Sequence, residues 1–139
     1  MSTKPEYLGW LIKRIQHRHH RALDKDLTSL GLTLVQWNAL REIERNPGCS
    51  QHKLAELTFN SDQALGTLLT RLHKADLVKP FSGGGRATLH ELTAKGRRLH
   101  RDGQQIMQSV TKESFSVLGA EEQEILARLL SKILDHEPK

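Results

Sequence analysis

Apolar residues recur every three or four positions from Tyr7 to Leu30: Leu8, Leu11, Ile12, Ile15, Ala22, Leu23, Leu27 and Leu30 share one stripe, and His19 fills its gap. That spacing predicts a long amphipathic helix, which Gly31 is placed to stop. Thr33 and Gln36 then stand three apart, the spacing at which each side chain satisfies a free N–H of a helix's first turn. They predict a second helix with Leu34, Trp37, Leu40 and Ile43 or Glu44 on one face, ended at Asn46-Pro47-Gly48. Ser50 caps a short third helix carrying Leu54, Ala55 and Leu57, which Phe59-Asn60 breaks. A fourth helix follows from Asn60 or Ser61, with Asp62 favourably placed at its positive end. Its inner stripe is Leu65, Leu68, Leu69 and Leu72, and its outer face reads Gln63, Gly66, Thr67, Thr70, Arg71 and Lys74.

Beyond Lys74 the helical period is lost. Leu77-Val78-Lys79 reads as a short strand that Pro80 confines to an edge or brings to an early stop, because proline has no N–H for a ladder. Ser82-Gly83-Gly84-Gly85 is a turn, and Arg86–Leu92 returns as a second strand, giving a hairpin. Thr93 caps a fifth helix that carries Leu99, Ile106, Val110, Phe115 and Val117 or Leu118. Gly96 and Gly103 interrupt it, each costing about 1 kcal/mol relative to Ala, so something is expected to pack closely against them. After Gly119-Ala120 a sixth helix presents Ile125, Leu126, Leu129, Leu130, Ile133 and Leu134, a broader apolar face than one small lobe can cover.

Composition sharpens this mainly-α pattern. The chain has 139 residues, one domain's worth, with 4% aromatic residues, which disfavours a large aromatic-lined substrate cavity. Net charge is +5, distributed as +3 over residues 1–47, +4 over 48–98 and −2 over 99–139, so the positive excess lies in the first two-thirds. Such a balance suits a polyanionic partner. The Met1–Tyr7 run lacks a basic head followed by an apolar core, no stretch approaches membrane-helix length, and the single cysteine, Cys49, allows no intrachain disulfide framework. A cytoplasmic protein without membrane association is expected.

Two short helices joined by a tight turn and followed at once by a hairpin form the winged helix-turn-helix order. A major groove about 12 Å wide admits one helix, entered by its N-terminal half. The outer face of residues 61–74 suits that role. Gln63 can pair with adenine, Arg71 with guanine or phosphate, and Thr67 or Thr70 with phosphate or a thymine methyl. The candidate DNA-binding set is Ser50, Gln51, Ser61, Asp62, Gln63, Gly66, Thr67, Thr70, Arg71, Lys74 and the wing residue Arg86.

At these residues the chain resembles the MarR family of bacterial transcriptional regulators. The likeness rests on Leu32-Thr33 leading to Trp37 and Leu40, Leu54-Ala55, Arg71-Leu72 followed by Leu77-Val78, and Arg86 six residues before Leu92-Thr93 and Gly96. It is strongest over residues 32–98 and covers nearly the whole chain. The resemblance implies one domain over 1–139, with a DNA-binding lobe at 32–98 and dimerisation helices at 1–30 and 99–139. It also implies a homodimer on a pseudo-palindromic duplex, most often a repressor, and a small anionic or phenolic effector bound between the dimer helices and the DNA-binding lobe. Arg14, His17, Trp37 and Arg41 are the candidate effector residues, with Trp37 more at home in the core. Gly84 stands where the family usually has an aspartate bracing the wing arginine, and the wing is about two residues short of the family pattern. Gly66-Thr67 replaces a common Thr-Arg pair. The helix is therefore expected to carry most base discrimination, and Arg86 a looser electrostatic contact.

Other chemistry is sparse. His17, His19 and His20 cluster on the first helix with Asp24 four residues after His20, but no structural-zinc spacing accompanies them, so a basic solvated face is expected rather than a metal site. Cys49 precedes a helix N-terminus, where a thiol can be activated. Inertness is the expectation, because oxidant sensors resembling this chain usually carry their cysteine in the first helix. No nucleophile elbow, P-loop or dinucleotide fingerprint occurs, and neither catalysis nor a cofactor is expected. Two alternatives stay open: a metal-responsive regulator, and a winged-helix protein-interaction module without DNA binding.

Overall fold

The computed structural model describes residues 2–81 and 89–137. Helix α1 runs Pro5–Leu27, with proline in its first turn, where no N–H is needed. A 3₁₀ turn, Thr28–Leu30, tightens its end, and Gly31 leaves it at φ 71°, donating its N–H to Thr28 O. The apolar stripe thus reaches Leu30 as expected, but the last turn is 3₁₀ rather than α.

Helix α2, Leu34–Arg45, opens on the full capping box: Gln36 N donates to Thr33 Oγ1 at 3.1 Å and Thr33 N to Gln36 Oε1 at 2.9 Å. Asp24 adds a brace from α1, its Oδ1 accepting from Leu34 N at 2.6 Å. Helices α3 (Gln51–Leu57) and α4 (Asp62–Lys74) start on Ser50 and Ser61, whose hydroxyls accept from Lys53 N and Ala64 N. Between them Phe59 takes φ 58°, an unusual conformation for a side-chain-bearing residue, which turns the chain sharply enough to set α4 against α3.

Strands β1 (Val78–Pro80) and β2 (His90–Leu92) pair antiparallel, with Val78 opposite Leu92 and Pro80 opposite His90. Leu77 lies just before β1, and Pro80, expected to end the strand, is its last residue. The edge position explains this, since proline contributes its carbonyl and side chain without an N–H. The expected turn at 82–85, with Gly84, and the first three residues of the expected second strand, 86–88, with Arg86, lie outside the described residues. Helix α5, Ala94–Phe115, starts on Thr93, and α6 spans Ala120–Asp135. Val117 and Leu118 fall in the turn between them rather than on α5.

The core joins the inner stripes of α1, α2, α3 and α4 to Leu77, Val78 and Leu92. Trp37 sits in it at 2% exposure, its Nε1 donating to His100 O of α5 at 3.1 Å. Both interrupting glycines of α5 have the close neighbour their cost implied. A β-carbon at Gly103 would fall on the Trp37 indole, and one at Gly96 on the Leu77 carbonyl. By contrast α6 buries no residue within the chain. Leu129 is 49% and Ile133 60% exposed, and on α1 Tyr7, Leu8 and Trp10 are about half exposed.

Candidate nucleic-acid interface

Helix α4 separates its two faces cleanly. Leu65, Leu68, Leu69 and Leu72 are buried, while Ser61, Asp62, Gln63, Thr67, Thr70, Arg71 and Lys74 are exposed and Gly66 is half-buried. Hydrophobic burial therefore fixes which side of the helix a groove can receive. Ser50 and Gln51, exposed at the start of α3, join this surface. The two threonines are already committed in part: Thr67 Oγ1 donates to Gln63 O at 3.2 Å and Thr70 Oγ1 to Gly66 O at 3.0 Å. With their protons held inside the helix, their methyl groups are what they can offer to a thymine methyl. Arg71 and Lys74 form no ion pair among the described residues, and their charges face solvent.

Asp62 is held differently. His52 of α3 approaches it with Nδ1 at 3.0 Å from Oδ1, and its Nε2 lies 3.3 Å from Glu56 Oε1. Sequence reading missed this bracket, because the ten-residue separation of His52 and Asp62 has no helical period. Its hydrogen bond to Asp62, then the charges of Asp62 and Glu56, raise the His52 pKa above the ordinary histidine value. A folded pKa above the unfolded one means that the bracket stabilises fully below about pH 6.5 and loses its contribution as pH rises through the raised value. We expect the Tm difference between the wild type and His52→Ala to be largest in mild acid and to vanish in alkali. A pH-independent difference in thermal melts would show that the imidazolium is not what holds the two helices together.

The four candidate effector residues separate into two cavities. Arg14 and His17 line one of about 660 Å³ along α1, with Trp10, Lys13, Arg18 and Arg21. Trp37 and Arg41 line another of about 220 Å³, with Arg45, His100 and Met107. Arg41 lies over the Trp37 ring at 5.1 Å, but its Nε also donates to Glu42 Oε1 at 3.2 Å, so its charge is partly answered. The α1 cations named here have no such partner among the described residues.

The first-helix histidines part company as well. His19 is not on a solvated face: its Nε2 lies 2.6 Å from Ser114 Oγ, and its ring meets Phe115 edge-on. His20 pairs with Asp24 at 3.2 Å. Asp24's other oxygen is spent on Leu34 N, which makes this carboxylate a structural brace. No group of three or more His, Cys, Asp or Glu side chains suited to a metal ion occurs among the described residues. Burial, then the Glu42 charge, push the Cys49 thiol above its ordinary pKa, away from the reactive thiolate. No described helix is long and apolar enough to cross a membrane.

A capped recognition-type helix with an exposed polar face, packed on a second short helix and followed by a hairpin, defines a winged helix-turn-helix of the DNA-binding kind. Residues 30–87 match the family model described as "MarR family". The chain is 31% identical over 128 residues to the HTH-type transcriptional repressor Rv2887 of Mycobacterium tuberculosis (strain ATCC 25618 / H37Rv), covering 91% of this chain and 92% of that protein. Among solved structures, Rv2887 in complex with DNA superposes with a TM-score of 0.78 at 29% identity, covering 94% of this chain and 98% of that one. Rv2887 in complex with salicylic acid gives 0.77 at 29% identity, covering 95% and 98%. The chain belongs to the MarR family.

Proposed function

We infer that this protein is a homodimeric, sequence-specific DNA-binding transcriptional regulator, a repressor released by a small anionic aromatic effector. One observation carries the reading: the outer face of α4 stays polar, with Arg71 and Lys74 in no ion pair among the described residues, while its inner face is locked into the core. Ser61, Gln63, Gly66, Thr67 and Arg71 enter the major groove. Ser50 and Lys74 meet the backbone, Gln51 and Thr70 border the groove, Asp62 holds the start of the helix, and Arg86 supplies a wing contact. Residues 32–98 form the DNA-binding lobe, and residues 1–30 and 99–139 supply the dimerisation helices of a single 1–139 domain. The protein is no enzyme, and it works in the cytoplasm, where its operator is.

For the effector, electrostatics favours the α1 cavity. A carboxylate gains more from Arg14 beside Lys13, Arg18 and Arg21, which have no ion-pair partner among the described residues, with His17 and Trp10 at hand, than from an Arg41 already answered by Glu42. Trp37 and Arg41 form the second, weaker candidate. The salicylic acid complex of Rv2887 supports an effector of this class.

The test is selection of duplexes from a random pool, followed by binding measured at two or more salt concentrations. A palindromic consensus is expected, with half-sites about 34–36 Å apart. Arg71→Ala should weaken binding and lower the slope of log K against log salt by about 1. An unchanged affinity and slope would remove Arg71 from the interface. Titrating the complex with salicylate should release the duplex, and Arg14→Ala should blunt that release without changing affinity in its absence.

A further inference from the structure

Three residues from three elements meet at the foot of the hairpin. His73, in the last turn of α4, places Nε2 2.9 Å from Nδ1 of His90, the first residue of β2. The rings lie 5.0 Å apart and are tilted by 59°. On its other side His90 Nε2 lies 3.5 Å from Oε1 of Gln51, the first residue of α3. Neither histidine belongs to the site as read from the sequence, since separations of 17 and 39 residues leave no periodic trace.

The direction of this chain of hydrogen bonds follows from what each atom can do. An amide oxygen only accepts, so His90 must carry its proton on Nε2. The neutral ring then has a bare Nδ1, which accepts from His73 Nε2–H. Burial, then the neighbouring His73, lower the His90 pKa, so the neutral ring this order requires is the favoured one. With its oxygen turned to His90, Gln51 must present its NH₂ elsewhere. That nitrogen lies beside Gly66, 3.7 Å from where a β-carbon would stand, on the outer face of α4.

We propose that His73 and His90 are positioning residues that hold the Gln51 carboxamide with its NH₂ aimed at a hydrogen-bond acceptor on bound DNA beside Gly66. A free glutamine amide can turn either its oxygen or its NH₂ to a partner, whereas a held one keeps its oxygen toward His90 and turns its NH₂ outward. It thereby selects a phosphate oxygen or an acceptor on a base edge. The same contact ties the recognition helix and the start of α3 to the foot of the wing, where Lys79 and Glu91 pair across the hairpin with Nζ 3.9 Å from Oε1. The inference rests on the DNA-binding reading of α4, and its test separates the two.

The first arm needs no DNA. ¹⁵N NMR of the histidine rings in the full chain near neutral pH should report both His73 and His90 as Nε2–H tautomers, with His73→Ala altering the His90 ring signals. A His90 protonated on Nδ1 instead overturns the proposal whatever the protein binds. The second arm measures anisotropy on a duplex selected from a random pool and on a scrambled duplex of equal length. His90→Ala should weaken binding about fivefold, as for one lost hydrogen bond. His90→Gln, which can still donate from the Nε2 position, should restore it, and in a Gln51→Ala background His90→Ala should cost nothing further. Equal losses on both duplexes identify the acceptor as phosphate, and a loss on the selected duplex alone identifies a base edge. Affinity unchanged in His90→Ala, or losses that add to those of Gln51→Ala, overturn the positioning role. A wild type that binds no duplex, with the tautomers as stated, overturns the DNA-binding reading and leaves the held amide standing.

Discussion

Gly96→Ala is expected to destabilise the protein by about 3 kcal/mol or more, a large share of the 5–15 kcal/mol typical of a domain. Helix propensity alone argues the opposite, since Ala in a helix interior is favoured over Gly by about 1 kcal/mol. The close approach decides the sign. A β-carbon at Gly96 would land on the carbonyl oxygen of Leu77, and that oxygen cannot swing aside because it accepts from Thr93 N at 3.0 Å. Either the joint between β1 and α5 opens, or Thr93 loses its place as the N-cap of α5. Urea denaturation gives the answer directly. A loss below about 1 kcal/mol would mean that backbone and helix do not meet here as described. Since the joint sets the hairpin against α5, a partly folded variant should also lose DNA affinity.

The second large effect concerns assembly. Leu129→Asp with Ile133→Asp should convert the protein to monomers. In a two-fold interface each change counts twice, so four apolar side chains are lost. Full burial of each contributes about 2 kcal/mol, and roughly half of each is already covered within the chain, which leaves about 4 kcal/mol. That corresponds to a dissociation constant raised about a thousandfold, before the repulsion of the added carboxylates. Sedimentation velocity reads the oligomeric state. A variant that stays dimeric would place the interface elsewhere, and a monomer that binds a palindromic duplex as tightly as the wild type would separate dimerisation from recognition. Far-UV circular dichroism should stay unchanged, because α6 buries no residue of its own chain.

Legibility in the sequence followed the range of the interaction. Thr33, Ser50, Ser61 and Thr93 each cap the helix expected of them, because a cap is settled within three residues. The inner stripe of α4 was readable for the same reason, and with it the outer face that forms most of the candidate site. The glycines of α5 were readable only as a cost. That Gly96 answers to Leu77 and Gly103 to Trp37 depends on elements 19 and 66 residues apart in the chain, for which no local pattern exists. His19 read as part of a basic cluster, and only the packing of α1 on α5 assigns it to Ser114 and Phe115. His52, His73 and His90 left no sequence signal at all. Each acts across elements, and a histidine is equally at home on a solvated surface.

The sequence by itself determined the order of helices and hairpin, their caps, the apolar faces and the polar face of α4. All of these follow from spacing of two to four residues, over which backbone geometry is fixed. The tertiary structure alone decided which polar side chains are free and which are spent. It committed Asp62 to His52, Asp24 to Leu34, Arg41 to Glu42 and Gln51 to His90. It also divided the four effector candidates between two cavities. The physical reason is that a hydrogen bond or ion pair reaches only about 3–4 Å, so the charge left over for DNA or an effector is known only once every neighbour is in place.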